Sequence, residues 1–338
     1  MSQKALDLSD AQWLAHRYVE GTDTVRFLHC SRTARSAAPF LTDEHLSGLP
    51  LADAERAAAL GSTPDPASVG FVFHSAYCCS TLLANVLDIP GMASSLKEPQ
   101  ILNDMVGWRH RGADPSAVGQ VLSDCLSLLA RPFQPGETVI IKPSNVANGL
   151  AGAMLTVRPH SPAIVLHAPL HVFLTSIARK GMWGRLWVRE LLSRQLVDGL
   201  VDLGFEPRDY LLHTDLQAAA VGWLAQQKLF AALIEKWPDR VRSLNSETLI
   251  AHPVPAISAA AALFRLVLGD DRIAAIVASA FRRDAKSGAS FEPGQREADR
   301  AAGEAVHAEE IEKVAVWAQV VADRAAVPMD LPRPLFTP

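Results

Sequence analysis

The sequence predicts an α/β protein of three layers, α/β/α, built around a central parallel sheet and carrying extra helices. Short apolar segments alternate with helical ones, and such alternation favours crossover connections and parallel strands. Several of these segments are apolar at consecutive positions, as is typical of strands buried on both faces. The first of them, at 69–74, is followed by a turn of small residues at 75–81 and then by a helix at 82–87.

The remaining elements follow the same alternation along the chain. Pro169 can occupy the first turn of a helix that continues through Arg179, and Gly269 stops a long late helix. Further strands are predicted at 93–96, 138–142, 163–167 and 241–244, and further helices at 254–268 and 307–322.

Residues 1–68 are predicted to be a helical extension. Asp10 is placed to cap a helix over 11–15, and a second helix over 51–60 would end at Gly61. We therefore expect three parts: a helical extension at 1–68, an α/β domain at 69–292 and a helical tail at 293–338 packed on the core.

Composition excludes several classes of protein. The 338 residues are 49% hydrophobic and 20% charged, which is ordinary for a globular chain and unlike a disordered or collagen-like one. The net charge is −4, so no overall positive field favours nucleic acid, and any bound anion must be held locally. The sequence has four cysteines without a CxxC pair, no early signal-type segment and no run of 18 apolar residues. We expect a cytoplasmic protein with no membrane partner.

Polar side chains follow the predicted strands at their carboxyl ends, where ligands of open parallel sheets bind. The turn Ser75–Thr81 offers main-chain N–H groups to an anion, and the helix beginning near Ser80 adds its positive end. The alternative is a well-packed strand–helix turn without a ligand. There is no Gly-Lys-Ser/Thr, so this is not the loop of nucleoside triphosphatases. The later strand ends contribute Glu98, Lys142, Ser144, Asn145, His167, Thr175 and Ser176.

The turn and the segments after it resemble sulfotransferases, which bind 3′-phosphoadenosine 5′-phosphosulfate (PAPS) on a variant P-loop. The stretch Tyr77-Cys78-Cys79-Ser80-Thr81-Leu82-Leu83 matches their loop at its Ser-Thr-Leu-Leu end. Tyr77 replaces the usual basic residue, and Cys79 replaces the usual glycine.

Four later stretches match the same family in the same order, so that the resemblance spans about 69–268. Lys142 stands where the family has the lysine that touches the transferring sulfuryl group, and Ser144 where the animal cytosolic branch has a histidine base. His167 takes the arginine position of the 3′-phosphate motif, followed by Thr175 and Ser176 at its serine position. The matching stretches are Lys97-Glu98-Pro99, Ile140-Ile141-Lys142-Pro143-Ser144, His167-Ala168-Pro169 with Thr175-Ser176, and Asn245 through Pro253.

The resemblance implies a bacterial-type sulfotransferase that passes a sulfuryl group from PAPS to a hydroxyl or amine of a small-molecule acceptor, without a metal. Lys142 would stabilise the transition state, a role in which one donor contributes about 2.7–4 kcal/mol. Glu98 is the candidate base, because it is the carboxylate at the predicted crevice. A homodimer is compatible with this reading, and no nucleic-acid partner is expected. The candidate donor-binding residues are Tyr77, Cys78, Cys79, Ser80, Thr81, His167, Thr175 and Ser176, with Arg283 and Lys286 from a late basic loop.

Two other functions stay open. A kinase-like phosphotransferase would share the strand–turn–helix unit but lacks the loop lysine and a magnesium-binding aspartate. A non-catalytic anion-binding module would explain the replacements at Tyr77 and His167. Trp183 and Trp187, four residues apart on a predicted helix, are expected in the core, with an acceptor-pocket wall as the alternative.

Overall fold

The computed structural model describes residues 6–63, 67–281 and 295–337. The chain alternates strands and helices over most of its length. The strands are β1 Trp13–Val19, β2 Thr24–His29, β3 Leu51–Glu55, β4 Val69–His74, β5 Ala93–Lys97, β6 Thr138–Lys142, β7 Ala163–His167 and β8 Val241–Asn245. The helices are α1 Arg32–Ala37, α2 Arg56–Gly61, α3 Ser80–Val86, α4 Gln100–His110, α5 Pro115–Leu129, α6 Ala151–Val157, α7 Leu170–Arg179, α8 Gly181–Val197, α9 Asp209–Leu212, α10 Asp215–Lys236, α11 Ser246–Ala251, α12 Pro253–Leu263, α13 Asp270–Ala280 and α14 Gln295–Ala325.

A five-stranded parallel sheet flanked by helices forms the centre of the fold, which confirms the predicted α/β class. The strand order is β5-β6-β4-β7-β8, and β6 pairs in parallel with both β5 and β4. The predicted bounds of β4, β6 and β7 are those of the structure. These strands were predictable because apolar residues occupy consecutive positions, and in the structure β4 and β7 are buried along their whole length.

The chain divides into two compact units. The first comprises Met1–Phe73, Ser80–Ala163 and Ile257–Gly288. The second comprises His74–Cys79, Ile164–Ala256 and Ala289–Pro338, and within it α10 packs against α7, α8 and α14. Among the described residues, no helix combines the length and the apolar character that crossing a bilayer requires.

The helical extension predicted for 1–68 is wrong in its secondary structure, because β1, β2 and β3 form an antiparallel sheet there. The expected helix over 11–15 falls largely on β1. Asp10 does not cap a helix; its carboxylate accepts from the N–H of Gln12 at 2.9 Å, in a turn that leads into the strand. Trp13 and Leu14 are both buried, so β1 is covered on both faces and lacks the alternation that marks a strand in sequence.

The helix predicted over 51–60 is divided between β3 and α2. Asp53 lies opposite Arg26 on β2 and accepts two hydrogen bonds from its guanidinium, at 2.9 and 3.0 Å. Arg56 then starts α2 and donates to Asp23 at 2.7 and 2.8 Å. Cross-strand pairing therefore overrides a local helical preference over the first half of this segment.

Gly70 is required by close packing in the first unit. A Cβ at this position would lie 2.5 Å from Cε1 of Phe264, whose ring is buried. We expect Gly70→Ala to lower the free energy of unfolding by about 1–3 kcal/mol, because the ring must leave its position. Urea denaturation measures this change.

Gly119→Ala is the matched control, since nothing lies within 4 Å of a Cβ added there on α5. That substitution should stabilise the protein by up to about 1 kcal/mol through helix propensity. Equal effects of the two substitutions would contradict the packing argument.

Candidate active site

The carboxyl ends of β5 and β6 bring the two predicted catalytic residues together in the first unit. Lys97 and Lys142 are register partners at the last positions of these strands. The N–H of Glu98 donates to the carbonyl of Lys142 at 2.7 Å, so Glu98 lies one residue beyond the paired strands. Its backbone has a φ of +54°, a left-handed conformation that is uncommon for a residue with a side chain. Strand pairing thus fixes Glu98 beside Lys142.

The side chains of Lys142 and Glu98 form an ion pair. Lys142 is 0% exposed and Glu98 is 18% exposed, so the ammonium is enclosed while the carboxylate is partly accessible. The Lys142 Nζ also lies 5.4 Å from the centroid of the Phe40 ring. An enclosed ammonium requires a counter-charge, because removing one partner of a buried pair costs about 3–5 kcal/mol.

A second buried lysine, Lys97, lies beside this pair and was not predicted as a site residue. Its Nζ donates to the carbonyl of Ser36 at 2.7 Å and to Oδ1 of Asn85 on α3 at 2.9 Å. Burial lowers the pKa of Lys97 to about 8. The sequence contained a usable signal, since Lys97 directly follows a predicted strand, and Lys142 likewise ends one.

Ser80 and Thr81 are the first two residues of α3, which packs against β5 and β6. Both side chains are buried. The helix is seven residues long, so the positive helix end expected from the sequence supplies only a small partial charge. Any anion held at this position would depend mainly on individual N–H and hydroxyl donors.

The turn between β4 and α3 is strained. Ala76, Tyr77 and Cys79 have φ values of +69°, +50° and +63°. Within the second unit, Ser75 anchors the turn, because its N–H donates to the carbonyl of Leu166 at 3.1 Å and its Oγ accepts from the N–H of Ala168 at 3.2 Å. Main-chain N–H groups around left-handed residues form concavities of the kind that bind anions.

Tyr77 provides an aromatic contact and no charge. Its ring packs edge-on against Phe173 and Trp187, at centroid distances of 6.0 and 5.5 Å. Burial raises the pKa of its hydroxyl to about 12, so the phenol is neutral at physiological pH. The positive charge that the resembled motif has at this position is therefore missing.

Cys78 is buried and Cys79 is half-buried at the end of the same turn. All four cysteines lie in the described part of the chain, and none of them forms a disulfide there. Adjacent residues such as Cys78 and Cys79 cannot readily bridge each other.

His167 is a buried neutral histidine. Its Nδ1 lies 3.2 Å from Nε2 of Gln227, and burial lowers its pKa to about 4. The predicted 3′-phosphate contact at this position would therefore be a hydrogen bond from a neutral ring and would lack the charge of an arginine.

The other residues predicted to bind the 3′-phosphate differ in their surroundings. The hydroxyl of Ser176 donates to the carbonyl of Val172 at 2.8 Å, one helical turn back. Thr175 is buried, and its Oγ1 has no hydrogen-bond partner among the described residues. Arg283 and Lys286 lie outside the described residues.

The chain is similar in fold to solved sulfotransferase structures. One is the sulfotransferase domain from the curacin biosynthetic pathway, with 15% identity, coverage of 79% of this chain and 99% of that chain, and a TM-score of 0.47. Another is a sulfotransferase from Mycobacterium avium, with 14% identity, coverage of 76% and 79%, and a TM-score of 0.43. A third, from Mycobacterium tuberculosis H37Rv, has 13% identity, coverage of 80% and 79%, and a TM-score of 0.41. No family model matches the sequence, and no curated protein does.

The depressed pKa of His167 makes stability depend on pH. Between its usual value of 6.5 and about 4, the unfolded chain binds a proton at this ring and the folded chain does not. The free energy of unfolding should therefore fall as the pH falls through this range, by up to about 1.4 kcal/mol per pH unit for one proton.

We expect His167→Gln to flatten this dependence, measured by urea denaturation at pH 4.5 to 7. His160→Gln, at an exposed position, is the control and should keep the wild-type slope. Identical slopes for His167→Gln and the wild type would show that His167 does not titrate as a buried ring.

Proposed function

We propose that the protein is a sulfotransferase that uses PAPS as donor and a hydroxyl or amine of a small molecule as acceptor. The observation that carries the proposal is the enclosed Lys142 paired with the partly accessible Glu98 at the ends of adjacent parallel strands. In-line group transfer needs a cationic hydrogen-bond donor for the transferred group and a carboxylate that accepts the proton of the acceptor. The pair supplies both at one point.

The reaction assigns a separate task to each member of the pair. The acceptor oxygen or nitrogen attacks sulfur and forms a new bond, while the bond from sulfur to the phosphate oxygen breaks. The bond electrons leave with adenosine 3′,5′-bisphosphate, and the acceptor proton goes to the Glu98 carboxylate. Protonation of Glu98 removes the counter-charge of Lys142, whose ammonium then donates to the sulfuryl oxygens.

Charge balance in the first unit favours an anionic ligand. Lys97 and Lys142 place two positive charges beside the carboxylate of Glu98, and Asp88, which also acts on Lys97, is itself paired with Arg32. Lys97 is held by two neutral oxygens, those of Ser36 and Asn85, so its charge is not cancelled by these contacts. Since the pKa of Lys97 is about 8, most of that charge persists at pH 7.

The donor-binding roles belong to the same proposal. Ser80 and Thr81 would hold the 5′-phosphosulfate with the N–H groups of the preceding turn, Tyr77 to Cys79. Thr175, Ser176 and a neutral His167 would contact the 3′-phosphate through hydrogen bonds. Positive charge for that phosphate would come from Arg283 and Lys286.

A second candidate is a non-catalytic module that binds the nucleotide and performs no transfer. It is favoured by the neutrality of Tyr77 and His167, two positions where the resembled motifs are basic. Both candidates predict nucleotide binding, and only the enzyme predicts a sulfated product.

Calorimetry with adenosine 3′,5′-bisphosphate tests the donor class. We expect saturable binding of one nucleotide per chain, with adenosine 5′-monophosphate binding more weakly because it lacks the 3′-phosphate. Absence of binding at millimolar nucleotide would refute both the enzyme and the module. Magnesium-dependent binding of ATP in its place would support the kinase-like alternative.

Two variants test the roles of the pair once an acceptor that yields sulfated product is found. Glu98→Gln should lower kcat about 10²–10⁴-fold, because the base is lost. Lys142→Met in the Glu98→Gln background should lower it by a further 10²–10³-fold or so, the usual effect of one lost transition-state donor. Glu98→Gln alone leaves the buried Lys142 ammonium without its counter-charge, so thermal melting of that variant must separate a loss of folding from a loss of the base, whereas the double variant removes both charges.

Unchanged kcat in the double variant, with nucleotide binding retained, would contradict the assigned mechanism. Nucleotide binding without any product across acceptors would favour the non-catalytic module.

A further inference from the structure

An exposed apolar patch with adjacent cations lies where α7 meets α8 in the second unit. Met182, Trp183 and Leu186, in the first turns of α8, are 71%, 60% and 61% exposed. Arg179 and Lys180, which immediately precede α8, are also exposed. These five residues are called the α7–α8 corner below. We propose that the α7–α8 corner binds the surface of an anionic lipid bilayer.

The shape of the corner is defined by the backbone at two glycines. Gly181 has a φ of +58°, which turns the chain sharply between the two helices. A Cβ added at Gly184 would lie 2.7 Å from the carbonyl oxygen of Ile177, so α8 packs closely on the end of α7. Trp183 also stacks on Trp187, with centroids 6.4 Å apart and planes 10° apart. The exposed side chains therefore project from a closely packed start of α8.

Trp183 was expected in the core, and its exposure overturns that expectation. The helical spacing of Trp183 and Trp187 predicts one buried face, but Trp183 is exposed and Trp187 is half-buried. A large exposed indole beside exposed Met182 and Leu186 is unfavourable in water unless something covers it. Tryptophan is enriched where a protein meets the headgroup region of a membrane.

The charges of this region fit an anionic surface. The segment 164–189 contains no Asp or Glu and has four cations. Arg185 and Arg189 are paired with Glu310 and Asp215. Arg179 and Lys180 form no ion pair with another described residue, which leaves their charges available. Each such cation near an anionic membrane strengthens binding about fivefold.

The other charges on the exposed face of α8 do not oppose this assignment. Glu190 lies one turn beyond Leu186 and accepts from Arg194 at 2.7 Å, so this pair adds no net charge. A second copy of the chain is a poorer occupant, because the corner is far smaller than the roughly 20–30 residues that each partner supplies to a standard interface. The proposal departs from the sequence-based expectation of no membrane partner, which rested on the lack of a spanning segment, and contact through one corner needs no such segment.

Vesicle sedimentation of the full chain tests the proposal. The wild type should co-sediment with vesicles of 30% phosphatidylserine in phosphatidylcholine at 0.1 M salt. It should bind at least tenfold more weakly to pure phosphatidylcholine or at 0.5 M salt, since screening weakens surface charge interactions. Equal binding to both kinds of vesicle, or none at millimolar lipid, would overturn the proposal.

Matched variants locate the contact. Met182→Ser with Trp183→Ser should weaken binding at least tenfold, and Arg179→Gln with Lys180→Gln should weaken it about 25-fold and remove the preference for phosphatidylserine. Leu211→Ser with Leu212→Ser is the control, because these leucines are 83% and 80% exposed on α9, away from the corner in sequence. Its binding should equal that of the wild type.

All three double variants change exposed residues, so their thermal melting should match the wild type and any loss of binding is not a loss of folding. Wild-type binding by both corner variants, or an equal loss in the α9 variant, would overturn the assignment. Sedimentation that instead requires an added protein would assign the corner to a protein partner and also overturn it.

Discussion

The ion pair between Lys142 and Glu98 is the constraint on which the candidate site depends. Lys142 lies at the end of a strand in the interior of the first unit and is fully enclosed. An ammonium in this environment would be strongly unfavourable without Glu98. The carboxylate is fixed by the backbone as well as by charge, because its own N–H donates to the Lys142 carbonyl. The pairing of β5 with β6, the left-handed backbone of Glu98 and the buried ammonium of Lys142 therefore support one another.

Lys97 adds a second positive charge to this arrangement. A lysine and a glutamate alone would cancel, and the site would have little reason to attract an anion. The adjacent Lys97 shares the register position of Lys142 and is held by neutral acceptors, so that two cations lie beside the Glu98 carboxylate, while Asp88, which also acts on Lys97, is paired with Arg32. Burial, and to a smaller extent the nearby Lys142, oppose the charged form of Lys97 and outweigh the favourable effect of Asp88, so that its pKa is lowered to about 8. Such a cost would be offset by a bound anion.

The central sheet could be predicted from sequence because its strands have a simple pattern. Strands such as β4 and β7 are buried on both faces, so their residues are apolar without interruption and their limits are sharp. The N-terminal sheet could not be predicted in this way. β1 is buried at most positions and lacks alternation, and β3 is half-exposed with two acids; both are strands because β2 lies between them. That information is tertiary and is absent from local propensity.

The candidate site was predictable in its backbone and less so in its charges. Cys79 stands where the resembled loop has glycine, yet it adopts a φ of +63°, the conformation for which glycine is the usual choice. The turn therefore keeps its shape at a cost of order 1–3 kcal/mol for a strained residue. The replacements at Tyr77 and His167 have a different consequence, because the backbone conformation cannot supply the positive charge that the resembled motifs have at these positions. Among the described residues of the first unit, the strand ends of β5 and β6 supply positive charge through Lys97 and Lys142, so the binding of an anion in that unit would depend on these two lysines.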